Sequence, residues 1–207
     1  YFELLDAPRT LDPQTASSDS ELLIVRNIYE GLLRKNSDGE IVNGVISDYT
    51  YENLTYSFAL KPTLEWSDGT PVTAYDFVYG LRRAVDPKIK APFADRLKSI
   101  QGAEAIMSGN AGVETLGVVA TGKYSLKIVM CREDESFTDT LTTSVCMPCK
   151  EEFFENSIGK YGLDAEYIIS NGSYRLTKWN KEDFGIRLYK NEGYTGDFES
   201  QNAAVFI

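Results

Sequence analysis

Cys146-Met147-Pro148-Cys149 is the one short spacing in this sequence that by itself suggests a reaction. Two thiols separated by two residues can shuttle between dithiol and disulfide when one of them carries a depressed pKa. Here Glu151 and Glu152 follow at once, and carboxylates raise a thiol pKa rather than lower it. No βαβ pattern of the thioredoxin kind leads into the pair. Cys131 brings the thiols to three, too few for a disulfide scaffold. A local disulfide, a bridge from Cys131 to one of the pair, and free thiols all stay open. Two thiolates could hold part of a zinc site, but beyond Cys131 no third and fourth ligands are apparent. No metal and no cofactor are expected.

The chain contains no histidine. That removes Ser–His–Asp and Cys–His nucleophiles, histidine metal ligands and imidazole bases. Glu133-Asp134-Glu135 reads as a solvated acidic loop. Ser67-Asp68-Gly69 and Asn36-Ser37-Asp38-Gly39 lack the regular oxygen spacing of a calcium loop. No catalytic residue is assigned. The 21 basic and 31 acidic side chains give a formal charge of −10, which opposes nucleic acid as a partner and a polybasic grip on anionic lipid.

Whatever positions these residues is a folded, globular chain. Its 207 residues, 43% hydrophobic and 25% charged, suffice for one large or two small domains. No apolar run is long enough for a membrane span; Leu22-Leu23-Ile24-Val25 is the densest. The chain opens at Tyr1 without a leader, so targeting information is lost from it. Phe2–Leu5 reads as a short strand. Ser18 with Glu21 forms a capping box, and Leu22, Val25, Tyr29, Leu32 and Leu33 continue a helical period until the turn at Asn36–Gly39. Leu54 to Lys61 alternates as a half-buried strand. Thr73 and Asp76 open a second helix whose inner stripe runs from Ala74 to Val85, stopped by Asp86-Pro87. Phe93–Met107 and Lys150–Tyr161 read as helices, and Tyr124–Met130 as a strand. After the Asn171-Gly172 turn signal, Ser173–Trp179 and Gly185–Lys190 read as a hairpin closed by Asn180–Asp183. Ala203–Ile207 is a last apolar strand, from which the polypeptide is expected to continue. This order suggests an α/β unit interrupted by an inserted α+β unit.

Five segments in order carry a more specific signal: Leu11-Asp12-Pro13; Ile28-Tyr29-Glu30-Gly31-Leu32-Leu33; Trp66-Ser67-Asp68-Gly69-Thr70-Pro71-Val72-Thr73-Ala74-Tyr75-Asp76-Phe77-Val78; Asn171-Gly172-Ser173-Tyr174-Arg175-Leu176; and Lys190-Asn191-Glu192-Gly193-Tyr194. Together they resemble the extracytoplasmic solute-binding proteins of ABC importers, in the oligopeptide- and dipeptide-binding family. The long tryptophan-led run is the most specific of them. Its residue types are those of a turn and a helix cap, so it is expected to be a folding element rather than a ligand contact.

The resemblance implies a periplasmic-binding-protein type II-like lobe, α/β in class, with an inserted α+β subdomain, incomplete at the C-terminus. Residues 1–32 and 168–207 would belong to lobe one and 33–167 to the insertion, with the second lobe absent. It implies ligand contact just after Leu11-Asp12-Pro13, on Ser17, Ser18 and Asp19, where the free N–H groups of a helix N-terminus would face outward. The alternative reading is that Ser18 only caps the helix. The resemblance also offers Phe93 as an aromatic wall for a peptide, beside the plain reading of Phe93 as core. The implied function is capture of a peptide or other small solute between two lobes and delivery to the membrane subunits of an ABC permease. The implied setting is extracytoplasmic, peripheral to the membrane through a lipid anchor. The alternatives from other classes are a thiol–disulfide oxidoreductase using Cys146 and Cys149, and a non-transporting surface interaction protein.

Overall fold

The computed structural model describes residues 4–179 and 185–196 and the backbone of 203–206. The first helix, α1 (Asp19–Ile28), starts as its sequence predicts. Ser18 Oγ accepts the Glu21 N–H at 3.3 Å, and the Glu21 carboxylate accepts the Ser17 and Ser18 N–H groups at 2.8 and 3.1 Å. The same carboxylate accepts from Arg9 and Thr10 N–H at 2.9 and 3.3 Å. Burial works to raise the Glu21 pKa, but these four backbone donors outweigh it and hold the carboxyl below its ordinary value.

The helical period from Leu22 to Leu33 predicts a longer α1, yet the helix stops at Ile28. Tertiary partners take the backbone groups that another turn would need. Asn171 Oδ1 accepts the Glu30 N–H at 3.1 Å while its Nδ2 donates to the Glu30 carbonyl at 2.9 Å. Gly172 N–H donates to the Ile28 carbonyl at 2.9 Å. Leu32 and Leu33 are still buried, but Leu33 begins the strand β1 (Leu33–Lys35), which pairs with β2 (Ile41–Asn43).

A four-stranded antiparallel sheet follows. It is built from β3 (Ile46–Glu52), β4 (Thr55–Leu60), β5 (Val118–Gly122) and β6 (Ser125–Val129), in the order β3-β4-β6-β5. The expected alternation in β4 puts Tyr56, Phe58 and Leu60 in the core. The helix α2 (Ala74–Val85) packs on this sheet, burying Phe77, Leu81, Ala84 and Val85.

The helix expected over Phe93–Met107 is two short pieces, a 3-10 turn at Ala94–Leu97 and α3 (Ala103–Met107). Between them bonds to the sheet interrupt the helical ladder. Ile100 bridges to Met130, Gln101 N–H donates to the Val129 carbonyl at 2.9 Å, and Gly117 N–H donates to the Gln101 carbonyl at 2.8 Å. Gly102, at φ +84°, makes the left-handed step back into α3. Two more short helices are α4 (Phe137–Thr140) and α5 (Glu151–Asn156). The latter ends well before Tyr161, where Ile158 and Gly159 take positive φ.

The last sheet joins β7 (Tyr174–Trp179), β8 (Ile186–Lys190) and β9 (Ala203–Phe206), again antiparallel. The expected turn Asn180–Asp183, Phe2 and Glu3 of the expected first strand, and Ile207 lie outside the described residues. Leu4 and Leu5 are not in a strand. Helices and sheets share one hydrophobic core, which draws Ile28 from α1, Leu60 from β4, Phe77 from α2, Ile128 from β6 and Ile186 from β8.

Trp66 to Asp76 folds as the staple its residue types imply. Gly69, at φ +80°, closes a turn whose N–H donates to the Trp66 carbonyl at 2.8 Å. Asp68 accepts from the Thr70 N–H at 2.9 Å and from Lys150 Nζ at 2.6 Å. The Asp76 carboxylate accepts from the Thr73 N–H at 2.7 Å, the Thr73 hydroxyl at 2.9 Å and the buried Trp66 indole at 3.4 Å. Ser67 N–H donates to the Ser170 carbonyl at 2.7 Å, which ties the turn to the segment entering β7.

A second buried device joins the Leu11-Asp12-Pro13 segment to α2. Arg83 Nη2 lies 2.7 Å from Asp12 Oδ2, and Arg83 Nη1 donates to Gln14 and to Cys149 Sγ. Its guanidinium sits 4.0 Å from the centre of the Phe154 ring. Gln14 Nε2 passes the link on to the Met147 carbonyl at 2.9 Å.

Candidate ligand-binding cleft

A cleft of about 610 Å³ opens beside α1. One face of the helix supplies Asp19, Leu22 and Arg26, while Ile24, Val25 and Ile28 point into the core. Phe93, which also packs against the hydrophobic core, lines the cleft too, with Arg96 one turn further on, the guanidinium 5.4 Å from the centre of the Phe93 ring. The 142–147 segment adds Ser144 and Met147.

The glycine-bearing motifs shape the base. Gly172 and Ser173 line it, as does Tyr194. A Cβ on Gly172 would lie 2.8 Å from the Ile28 carbonyl carbon and 2.9 Å from the Tyr29 nitrogen, so only glycine lets this segment close on the end of α1. Asn191 fixes it from the other side, donating from Nδ2 to the Gly172 carbonyl at 3.0 Å and from its N–H to the Ser173 carbonyl at 2.9 Å.

Of the four residues singled out from the sequence, Asp19 and Phe93 line this one cleft. Ser17 is exposed and Ser18 half-buried, and neither is among its lining residues. Their N–H groups, read from the sequence as free, are both taken by Glu21. Ser18 Oγ donates to Asp6 at 3.2 Å as well as capping α1. Sequence reading passed over Arg96 and Arg26, although each stands at helical spacing from a residue it did select. It also passed over Ser144, for which the sequence holds no signal, because a contact from a distant segment brings it to the cleft. No residue of the tryptophan-led run lines the cleft.

Charge in the cleft runs against that of the whole chain. Arg26, Arg34, Lys35 and Arg96 line it, against Asp19 and Glu30. Arg34 Nε lies 3.7 Å from Glu30, and Lys35 Nζ lies 2.6 Å from Asp139.

Cys146 and Cys149 are free, fully buried thiols, and burial pushes each up to about 12. At neutral pH both stay protonated and out of reach of a disulfide substrate, the opposite of what thiol exchange requires. Cys131 is free and exposed. Among the described residues, no group of three or more Cys, Asp or Glu side chains could hold a metal ion. No helix there is long and apolar enough to cross a membrane.

An open, partly apolar cleft with a few convergent polar groups has the make-up of a small-molecule or peptide site. The fold is that of a type II periplasmic-binding-protein lobe. It matches the Listeria monocytogenes OppA bound to peptide with a TM-score of 0.95 at 24% identity, over 99% of this chain and 41% of that one. It matches the Escherichia coli murein tripeptide binding protein MppA with a TM-score of 0.87 at 32% identity, over 99% of this chain and 40% of that one. The family model described as bacterial extracellular solute-binding proteins, family 5 Middle, covers residues 40–205. The chain belongs to that family. Among curated relatives, the periplasmic murein peptide-binding protein MppA of Escherichia coli (strain K12) is 37% identical over 174 residues, which is 83% of this chain and 32% of that protein. The oligopeptide-binding protein OppA of Bacillus subtilis (strain 168) is 33% identical over 190 residues, 90% of this chain and 34% of that protein. The chain thus spans about a third of the length of the curated relatives it matches.

Proposed function

We propose that this chain forms the first-lobe portion of an extracytoplasmic solute-binding protein that captures oligopeptides for an ABC importer and performs no chemistry on them. The observation that carries the reading is that Asp19 and Phe93, from separate segments, face one cleft in a chain of this family. A peptide in extended form would bond to backbone along the cleft, as an added strand does, and Phe93 would give its side chains a flat apolar wall. Because the Ser17 and Ser18 N–H groups are committed to Glu21, contacts there would use carbonyl groups and the Asp19 side chain. Water in the remaining volume would accommodate varied side chains.

The division into lobe and insertion belongs to the same proposal. The four-stranded sheet falls within 33–167 and the three-stranded sheet within 168–207. A second lobe would close on the cleft like a hinge, and the closed form would be read by the permease. The family resemblance extends this reading to a protein held near its permease by a lipid anchor.

Native mass spectrometry of the full-length protein as purified tests the proposal. Co-purified peptides are the expected result. A sugar or a metal chelate as the sole bound species would overturn the peptide assignment.

A further inference from the structure

We infer that the cleft selects peptides bearing a carboxylate side chain, which Arg96 would hold beside the Phe93 ring. The inference rests on the peptide-binding reading above and adds the chemical class of the peptide. It comes from which cleft cations are already committed. Arg34 is paired with Glu30 and Lys35 with Asp139. Arg96 makes no ion pair among the described residues. Its sequence neighbour Asp95 is engaged by Lys98 at 2.9 Å, and Arg132 is engaged by Glu104 at 3.8 Å. The Arg96 guanidinium stands 5.4 Å from the centre of the Phe93 ring, a stacking contact that leaves its planar fork of N–H donors open to an anion.

An independent observation points the same way. Ser144 lines the cleft and is 4% exposed, yet its Oγ has no hydrogen-bond partner among the described residues. A buried hydroxyl without a partner is uncommon in a folded protein, and one on the wall of a binding cleft is met when a ligand arrives. A carboxylate can accept from a guanidinium and a hydroxyl together; a side-chain amide offers one weaker acceptor, and an ammonium offers none. Arg26, also on the cleft, makes no ion pair among the described residues and adds to a local positive potential on a chain whose net charge is −10.

The test is a calorimetric comparison on the full-length protein, using tetrapeptide pairs that carry Glu or Gln at the same position, scanned along the peptide. At one position the Glu peptide should bind about tenfold tighter than its Gln partner, the scale of one added charge-assisted hydrogen bond. In Arg96→Gln that ratio should collapse to about one, and in Ser144→Ala it should fall by a smaller factor. Circular dichroism on each variant checks that the exposed Arg96 and the buried Ser144 can be replaced without unfolding. Equal binding of Glu and Gln peptides at every position would overturn the inference and leave peptide capture standing. A Glu preference that survives in Arg96→Gln would overturn the assignment to Arg96. Failure of every peptide to bind would overturn the peptide reading and this inference with it.

Discussion

From Trp66 to Asp76 the chain spends its polar groups on itself: indole, two carboxylates, turn amides and the Lys150 ammonium all find partners within the staple or on the segment it clamps. Around the cleft the opposite holds. Arg26 and Arg96 make no ion pair among the described residues, the Ser144 hydroxyl stands without a partner there, and Asp19 is exposed. The first pattern fixes a shape, because a buried donor or acceptor that loses its partner costs about 1–3 kcal/mol. The second leaves groups available to something outside the chain. The most distinctive run of sequence therefore lies outside the cleft, and the proposed ligand-facing residues, Asp19 and Arg26, Phe93 and Arg96, and Ser144, come from three separate segments.

The comparison predicts that substitutions in the satisfied regions are costly to stability and those of the unpartnered polar groups on the cleft wall are not. The largest effect is expected at the buried pair of Arg83 and Asp12. Arg83→Ala leaves the Asp12 carboxylate buried without its cation and should lower unfolding stability by about 3–5 kcal/mol in denaturant titration. A loss below about 1 kcal/mol would show that the link between the Leu11-Asp12-Pro13 segment and α2 is dispensable.

Next comes Glu21, whose four N–H donors make it the hub of the N-terminal loop. Glu21→Gln replaces one acceptor oxygen with a donor and should cost about 1–2 kcal/mol at neutral pH. The folded-state pKa of Glu21 lies below its ordinary value of 4.5. Its contribution is therefore fully present above about pH 4.5 and is lost as the pH falls through the lower, folded value. Stability curves of wild type and variant should be separated at pH 7 and converge in acid; a gap that widens in acid would contradict the hydrogen-bond assignment.

The smallest effect is expected at Ser144. Because its hydroxyl bonds to nothing among the described residues, Ser144→Ala should change stability by no more than about 0.5 kcal/mol. A loss above about 1 kcal/mol would mean the hydroxyl is engaged in the free protein and would erase the contrast between the two regions.

Local signals in the sequence carried the elements that are closed by local bonds. The capping boxes at Ser18 and Thr73, the alternation of β4 and the turn at Gly69 each depend on residues a few positions apart, and all are found where expected. What escaped depends on distant partners. Asn171 and Gly172 end α1 early, and the end of β6 breaks the expected helix at Ile100, while Leu32 and Leu33 keep a helical period although they lie outside the helix. The lining of the cleft was legible to a similar extent. Phe93 and Asp19, which the family resemblance offered, line it, whereas Ser17 and Ser18 do not. Arg96, one turn beyond Phe93, carries no signal of its own, because surface arginines are common. Ser144 was invisible, since its place on the cleft is set by the packing of the 142–147 segment.

The central claim is that the cleft between α1 and Phe93 is where the peptide sits, and Phe93→Ala tests it most directly. Calorimetric titration of wild-type and variant full-length protein with the same peptide should show affinity reduced about tenfold or more, the loss typical of an aromatic anchor. An unchanged dissociation constant would place the peptide elsewhere and contradict the account.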